Sequence, residues 1–470
     1  MAFARIALLA ALAASCEDKP PGRKLAAGIA SRLAVHDGHV AFLLDAVHPD
    51  DRTIPEDLVA GDLWLDDRKV GSAVSSQPGT YAFSKAGQLA FLSSWRFRAG
   101  EGELWTAAPG AEPVQVAKAA HAFSWSPDGS TLAYVAPNRL GIGTQSVAIE
   151  GVQEVAWSPD GKRIAARTSA SAGGKLYLVE NLSAREIAPG TSDFAFAPDG
   201  ALAALGPPPP KGGDRPLLLD GKEIGRATAF AFSPDGKELA LLSTAKQPGE
   251  ATGDLYRLTG KQQHLVAQKV SDWRWAPAGD LLCLARYDLR ARAGTLVVNG
   301  REIASKVQSF VASGRRVLYL VQSPRKGDFR IELWGVDLAT AEKPHKIDDG
   351  VYGWDLSGDT LFYKARCAGG PRSCSLLRTT FAASGPPTLL APNVAGFDLS
   401  QDGTRILVQQ PHRGATRAMD LAVIPAQGAP REHVKDFVEE VDPSSRFADA
   451  AGKRVVYALA KGGAYIAEVP

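Results

Sequence analysis

The stretch FSWSPDGSTLAYV, from Phe123 to Val135, decides the fold. Phe123 and Trp125 alternate with serine, which is the period of two that a β-strand gives. Ser-Pro-Asp-Gly follows and predicts a turn, because proline presets φ, aspartate suits the next position and glycine accepts a positive φ. The apolar run from Leu132 to Val135 then predicts a second strand. The stretch therefore encodes a hairpin.

The same unit recurs along the chain. Clear copies begin at Val155 (VAWSPDGKRIAA), Phe194 (FAFAPDGALAAL) and Phe230 (FAFSPDGKELALL). Degenerate copies begin at Tyr81, Trp273 and Phe397, and weaker ones surround Gly38, Gly314, Gly358 and Gly452. The glycine of each copy, called a landmark glycine below, falls at 38, 87, 129, 161, 200, 236, 279, 314, 358, 403 and 452. A period near 40 residues is typical of four-stranded propeller blades.

Each unit also holds a second hairpin. Asp220-Gly221 and Asn299-Gly300 separate apolar runs, and these dipeptides are strong hairpin signals. Two strands and a hairpin make four strands, so the sequence predicts an all-β propeller over residues 25–470. Eleven landmarks exceed the usual four to eight blades of one ring. We therefore expect two packed propellers that divide near residues 200–270, with one oversized ring as the alternative.

The ends of the repeat region predict how it closes. The chain ends on an apolar strand, Ala464 to Val469, with no partner hairpin after it. The stretch Leu25 to Ile29 can supply the missing outer strand, which would protect an edge that otherwise aggregates.

The N-terminus is typical of a targeting segment. Arg5 precedes a nine-residue apolar run, Ile6 to Ala14, which is too short to span a bilayer. Ala13-Ala14-Ser15-Cys16 resembles the bacterial lipobox, which implies that residues 1–15 are removed and that Cys16 carries a lipid. Residues 16–24 then form a short polar tether. Cleavage after Ala13 by ordinary secretion remains the alternative.

The remaining cysteines fit an exported protein. Cys283 lies in the apolar run LLCLA and is interpreted as a buried small hydrophobe. Cys367 and Cys374 bracket a short polar loop, and a local disulfide is expected in an oxidising envelope. The competing interpretation is a metal pair, but a zinc site needs a second pair of ligands.

Charge and motifs exclude several classes of function. The net charge is +2, which gives no electrostatic footprint for nucleic acid. No Gly-x-Ser-x-Gly elbow and no phosphate-binding loop occurs, so no catalytic residue and no cofactor is predicted. A metal site is conceivable only near the early histidines, namely His36, His39 and His48, which are better interpreted as loop positions.

The repeated residues of the unit are interpreted as structural. The turn positions Asp128, Gly129, Asp160, Gly161, Asp199, Gly200, Asp235 and Gly236 each belong to a separate blade, which disfavours a shared calcium site. The tryptophans at 125, 157, 273, 275 and 354 recur at one part of the repeat, which favours inter-blade core over a sugar platform.

Long insertions are the remaining candidates for binding, because function on rigid scaffolds tends to lie in loops. They are His48 to Gly61, Gly206 to Pro216, Thr244 to Gly253, Ser323 to Phe329 and Arg366 to Ser375. Basic residues in three of them are interpreted as solvated charge, with an anion-binding surface as the alternative; they are Lys211, Arg215, Arg325, Lys326, Arg366 and Arg372.

The aromatic-Ser-Pro-Asp-Gly unit resembles the WD-like repeat of the TolB-like propeller family, and the propellers of prolyl-oligopeptidase and tricorn-type peptidases carry a similar repeat. The resemblance covers residues 81–409 well and implies the fold more than a function. It implies a non-catalytic envelope lipoprotein that docks an envelope protein, anchored in a membrane by its lipid and facing the periplasm or the cell surface. The alternative is a sensor or degenerate hydrolase-type propeller that binds a glycan or peptide in its axial channel.

Overall fold

The computed structural model describes residues 20–243, 252–322, 331–340, 343–368, 370–382, 385–412, 418–427 and 438–469. Within these ranges the chain forms antiparallel β-strands and one short 3₁₀ helix, Ala170–Ala172, with no α-helix. No helix in these ranges has the length and apolar character to cross a membrane. The all-β fold predicted from the repeat is confirmed.

The strands assemble into blades of four, numbered here in chain order. Blade 1 contains β2 (Ala30–His36), β3 (His39–Val47), β4 (Ala60–Leu65) and β5 (Arg68–Ser75). Blade 2 contains β6 (Tyr81–Phe83), β7 (Leu89–Arg96), β8 (Glu101–Ala107) and β9 (Val114–Ala120). Blade 3 contains β10 (Ala122–Trp125), β11 (Leu132–Ala136), β12 (Arg139–Ile142) and β13 (Gln145–Val147). Blade 4 contains β14 (Val152–Trp157), β15 (Arg163–Thr168), β16 (Leu176–Glu180) and β17 (Ser183–Ala188).

The next blades repeat this order. Blade 5 contains β18 (Asp193–Phe196), β19 (Leu202–Leu205), β20 (Arg215–Leu219) and β21 (Lys222–Ala227). Blade 6 contains β22 (Ala229–Phe232), β23 (Glu238–Leu242), β24 (Gly253–Thr259) and β25 (Gln262–Val270). Blades 7 and 8 share a seven-stranded sheet of β26 (Asp272–Trp275), β27 (Leu281–Asp288), β28 (Ala293–Val298), β29 (Arg301–Ser313), β30 (Arg316–Gln322), β31 (Ile331–Asp337) and β32 (His345–Asp349). The long β29 ends blade 7 and begins blade 8.

The last blades complete the series. Blade 9 contains β33 (Gly353–Ser357), β34 (Thr360–Ala365), β35 (Cys374–Thr380) and β36 (Thr388–Val394). Blade 10 contains β37 (Gly396–Leu399), β38 (Arg405–Pro411), β39 (Met419–Pro425) and β40 (Val438–Val441). Blade 11 contains β41 (Arg446–Phe447), β42 (Arg454–Ala458), β43 (Ala464–Glu468) and, as its outer strand, β1 (Arg23–Ala26).

Blade 11 closes the ring with strands from both ends of the chain. β1 pairs antiparallel with β43, with Arg23 opposite Ile466. The buried side chains of Phe42 in blade 1 and Val456 in blade 11 share one core cluster. Gly38 also donates its backbone N–H to the carbonyl of Ala448 at 2.9 Å. The N-terminal segment therefore supplies the outer strand that the sequence lacked at its C-terminus.

One ring replaces the two packed propellers that we expected. Among the described residues eleven hydrophobic clusters occur, and each one joins a blade to the next, including blade 11 to blade 1. A division near residues 200–270 would break the cores there, yet Leu205 of blade 5 and Leu241 of blade 6 lie in one cluster. Ala240 of blade 6 and Leu281 of blade 7 share another cluster. The alternative, one oversized ring, is the arrangement found.

Every landmark glycine lies between the first and second strands of its blade and has a positive φ, from 56° at Gly358 to 90° at Gly200. The turn before it is held by a repeated hydrogen-bond pattern. In blade 4 the Ser158 hydroxyl donates to Asp160 at 2.6 Å and accepts the backbone N–H of Arg163 at 2.9 Å. Ser126, Ser233 and Ser400 make the equivalent bonds in blades 3, 6 and 10.

Candidate binding faces

The alternating strand direction gives the ring two distinct faces. The turns between strands one and two, and between strands three and four, lie on one face, which we call the landmark face. The links between strands two and three, and between blades, lie on the opposite face, which we call the loop face. β1 is a fourth strand, so it begins at the landmark face, where Gly22 contacts Ala467.

All five long insertions join a second strand to a third strand and therefore belong to the loop face. Those beginning at His48, Gly206 and Arg366 are described, apart from position 369. Residues 244–251 and 323–330 lie outside the described residues, but β23, β24, β30 and β31 place the ends of these two insertions at the same face. Exposed Ile29, Val47, Leu289 and Tyr352 also lie in links or strand ends of this face.

Polar contacts order two of these loops. Asp51 in the loop of blade 1 accepts a hydrogen bond from Arg98 of blade 2 at 2.7 Å. This bond, with those from Thr53, holds the pKa of Asp51 well below its usual range. In blade 9, Cys367 and Cys374 are joined by a disulfide. The Lys364 ammonium is buried, which lowers its pKa, and it donates to the carbonyls of Ala395 and, at 3.4 Å, of Pro371.

The axial opening is bordered by the first strand of every blade. This strand is hydrogen-bonded on one side only, except that the N-terminal part of β29 also pairs with β28 of blade 7. The residue in the middle of this strand is small in blades 1 to 6 and half-buried there: Ala34, Ala82, Ser124, Ala156, Ala195 and Ala231. In blades 7 to 11 the same register position is exposed and larger: Arg274, Val311, Asp355, Asp398 and Arg446. We call these five residues the axial arc.

The axial arc brings opposite and like charges together. The Asp398 side chain is exposed at the axial opening, but the wall of the opening partly buries its carboxyl group. This burial raises the pKa of Asp398, Arg446 lowers it, and the negative charge of Asp355 raises it again. Val311 and Asp355 border a cavity of about 400 Å³. Asp398 and Arg446 border another of about 490 Å³, between blades 10, 11 and 1.

The sequence analysis missed the axial arc. A signal was present, because the middle residue of the aromatic unit changes from alanine or serine in FSW, VAW and FAF to a charge in WRW, WDL and FDL. The aromatic residues on either side identify the strand, whereas the central residue gains a meaning only once the axis of the ring is known.

The early histidines do not converge. His39 Nδ1 lies 2.8 Å from Asp66, His48 Nε2 lies 3.2 Å from the carbonyl of Ile54, and His36 stacks on Phe83 with ring centroids 5.7 Å apart. Across the described part of the chain, no three His, Cys, Asp or Glu side chains gather as metal ligands would.

The turn aspartates each serve their own turn. Asp128 accepts hydrogen bonds from Ser126 and Ser130, which lower its pKa to about 2. Asp199 accepts the backbone N–H of Ala201 at 3.0 Å, and Asp160 and Asp235 accept those of Lys162 and Lys237 at 3.2 Å. Their carboxylates are thus engaged locally, on separate blades.

The repeated tryptophans pack between blades. The indole of Trp157 donates to the carbonyl of Ser124 in the preceding blade at 3.1 Å, and Trp275 donates to that of Ala231 at 3.1 Å. Trp125 makes the same bond to Ala82 at 3.3 Å. Trp273 and Trp354 lie against inter-blade clusters as well. Cys283 is free and fully buried, and burial raises the pKa of its thiol to about 12.

The basic loop residues do not form one patch. Lys211 and Arg215 belong to blade 5, whereas Arg366 and Arg372 belong to blade 9. Arg325 and Lys326 lie outside the described residues. Arg366 Nη2 is 3.7 Å from Asp348 of blade 8, so this arginine forms an ion pair within the ring.

Comparison with known proteins gives no family for the chain. No family model matches the chain, and no curated protein matches it. Among solved structures, the chain is similar to a eukaryotic initiation factor, with 14% identity and a TM-score of 0.42 over 75% of this chain and 96% of that one. It is similar to the tricorn protease at 12% identity and a TM-score of 0.29, over 92% of this chain and 46% of that one.

A third similar structure is the β-propeller domain of the Trilobed protease from Pyrococcus furiosus. The identity is 15% and the TM-score 0.28, over 68% of this chain and 99% of that domain. At these identities a likeness concerns the fold alone. The chain is a β-propeller protein, and its sheets establish this independently of the comparisons.

Proposed function

We propose that the chain is an exported, lipid-anchored binding protein without catalytic activity, which presents its loop face to a protein partner in the cell envelope. One observation carries this proposal: the long loops lie on the face opposite to the start of β1. An anchor at the N-terminus would hold the landmark face toward the membrane and leave the loops accessible. Loops on a rigid ring are a common place for recognition.

The tether length supports this orientation. Six residues separate Cys16 from Arg23, which allows a span of about 24 Å at full extension. A lipid on Cys16 would therefore keep the rim of blade 11 close to the bilayer. This geometry keeps the start of β1, on the landmark face, near the membrane and favours a loop face that points away from it.

Replacement of Cys16 tests the anchor. Cys16→Ser should give an uncleaved precursor or a soluble species in cell fractions, because the lipid-accepting thiol is absent. Cys283→Ser is the matched control, since that thiol is buried in the core and should leave fractionation unchanged. A Cys16→Ser protein of unchanged mature mass in the membrane fraction would show that Cys16 carries no anchor.

Site-specific photo-crosslinking tests the binding face. A photoreactive residue at exposed Val47 or Leu289 samples the loop face, and one at exposed Lys162 or Lys237 samples the landmark face. We expect a discrete crosslinked protein in cells from the first pair and none from the second. Crosslinks from the landmark face alone would reverse the proposed orientation.

The axial arc favours a second candidate function, in which the ring binds a small ligand such as a glycan or peptide at its axis. Asp355 and Asp398 converge there beside Arg446, and a raised carboxyl pKa, as at Asp398, is common at binding sites. Native mass spectrometry of protein purified from its host should then detect a retained ligand that Asp398→Asn loses. A wild-type mass equal to that of the bare polypeptide and its lipid would count against this candidate.

A further inference from the structure

A polar cleft lies on the landmark face between blades 7 and 8. Its volume is about 290 Å³, near the lower end of ligand pockets in proteins. Turn residues of both blades line it, among them Asp280 after a landmark glycine, Asn299 and Arg301 in a hairpin turn, and Arg315 in the next blade. The cleft lies on the face opposite to the long loops and outside the axial arc, so it plays no part in the functions proposed above.

The Asp280 carboxylate is incompletely satisfied in this cleft. Its side chain is 15% exposed, and its Oδ1 accepts a hydrogen bond from Asn299 Nδ2 at 2.8 Å. Its Oδ2 is buried and accepts no hydrogen bond from any residue that the structure describes. The nearest cation, Arg315 Nε, is 3.9 Å away, which is too far for a hydrogen bond. A buried acceptor without a protein donor is uncommon in native proteins, which makes Asp280 a candidate contact for a bound group.

The gap between Asp280 and Arg315 selects the chemistry of that group. A bridging atom must donate to the carboxylate and accept from the guanidinium N–H at the same time. A hydroxyl does both, because it has one O–H donor and two lone pairs. An ionised carboxylate cannot donate, and an ammonium cannot accept. The cleft therefore fits a ligand that carries at least one hydroxyl.

The charges of the cleft favour a ligand that is also anionic. Glu302 pairs with Arg286 at 2.7 Å and Asp337 lies 3.7 Å from Arg316, so both acids are engaged with groups beyond the cleft. Arg301 and Lys343 line the cleft, and neither has an acidic partner among the described residues. With Arg315 they leave an excess of positive charge over Asp280.

We propose that this cleft binds a small hydroxylated anion of monosaccharide size, of the sugar-acid class. One hydroxyl bridges Asp280 Oδ2 and Arg315 Nε, and the carboxylate of the ligand lies toward Arg301 and Lys343. Sequence analysis gave no indication of this site, because its residues come from two blades and from turns that elsewhere are purely structural.

Isothermal titration of the mature protein with three probes tests the proposal. D-glucuronate has both the hydroxyls and the charge, D-glucose lacks the charge, and succinate lacks the hydroxyls. We expect D-glucuronate to bind at least tenfold more tightly than either of the others. Asp280→Asn, which replaces the acceptor oxygen by an isosteric donor, should weaken D-glucuronate binding at least tenfold. Asp193→Asn, at an exposed carboxylate of blade 5, is the control and should leave it unchanged.

A second variant separates loss of the site from loss of the fold. Lys343→Gln removes one exposed cation and should weaken D-glucuronate while leaving the weak binding of D-glucose unchanged. Absence of D-glucuronate binding to the wild type would overturn the proposal and assign the gap to an ordered water. Equal binding by the wild type and a folded Asp280→Asn protein would overturn it as well.

Discussion

The junctions between blades fall into two groups, which differ in the size of the buried residue that the second strand contributes. In the first six junctions a fully buried alanine of the second strand meets an aromatic side chain of the next blade. The pairs are Ala41 with Phe83, Ala90 with Trp125, Ala133 with Trp157, Ala165 with Phe196, Ala203 with Phe232 and Ala240 with Trp275. In the other five the second-strand residue is large: Leu282 with Ala312, Leu318 with Leu356, Phe362 with Leu399, Leu407 with Phe447 and Val456 with Val35.

This difference shows how one ring combines uniform packing with a varied axis. Protein interiors keep a nearly constant density, so a large residue on one side of a junction requires a small one opposite. Three pairs of the second group are large on both sides and depart from this rule: Leu318 with Leu356, Phe362 with Leu399 and Leu407 with Phe447. In blades 1 to 6 the buried alanine of the second strand lies opposite an alanine or serine of the first strand of the same blade. In blades 7 to 11 the large residue of the second strand lies opposite a residue of the axial arc.

The largest effect is expected in the second group, at Phe362. Phe362→Ala removes a fully buried ring from the junction of blades 9 and 10 and should lower the free energy of unfolding by about 3–5 kcal/mol. Urea unfolding measures it, with exposed Val311→Ala as the control. A loss below about 1 kcal/mol would mean that the second strand does not carry the bulk there.

The disulfide of blade 9 has no counterpart in the proline-rich loop of blade 5. Replacing Cys367 and Cys374 by serine should cost about 2–3 kcal/mol, because the bond restricts the unfolded chain over a short loop. Thermal melting compares the double variant with Cys283→Ser. Alkylation of the unreduced protein at both positions would contradict the bond itself.

The junctions of the first group should not tolerate a larger side chain on the second strand. Ala203→Leu places a large residue against Phe232 and should destabilise the ring by about 1–3 kcal/mol. Phe232→Leu in the same chain should restore part of that loss, with a coupling of about 0.5–3 kcal/mol in a double-mutant cycle. Strictly additive losses would show that the two positions do not share volume.

The landmark turns should behave alike in both groups. Gly161 has a φ of 70° and Gly314 one of 58°, and valine at either position should cost about 1–3 kcal/mol. At Gly161 steric contact contributes little to this cost, because an added Cβ would lie 3.7 Å from Pro127, an ordinary van der Waals distance. Lys162→Val, at an exposed turn position, should change stability by less than about 0.5 kcal/mol. A cost at Gly161 alone would separate the two groups of turns.

The smallest effect is expected for the stability of the fold at acid pH. Hydrogen bonds from Ser126 and Ser130 lower the pKa of Asp128 from 3.8 to about 2 in the folded ring. A lowered pKa means that this stabilisation is complete above the ordinary pKa and is lost as the pH falls from about 4 to about 2. In the Asp128→Asn variant the melting temperature should therefore change less with pH between about 4 and about 2. An unchanged acid profile would contradict the role of the carboxylate.

The local pattern of the chain determined the blades. A turn such as Ser158 to Gly161 depends on residues within five positions of one another, so its signal survives without knowledge of the rest of the fold. Asp220-Gly221 and Asn299-Gly300 form the second hairpins for the same reason. The outer strand from the N-terminus was also predicted, because an unpaired final strand requires a partner.

The number of rings was decided by the tertiary structure. Blades per ring depend on the angle between neighbouring sheets, and that angle depends on the side chains of both faces of a junction. Ala203 and Phe232 are separated by 29 positions, and no local pattern gives their combined volume. The axial arc and the cleft at Asp280 are likewise products of assembly, since residues from several blades meet there. Sequence periodicity thus specified the repeating unit, and packing between units specified the ring and its candidate sites.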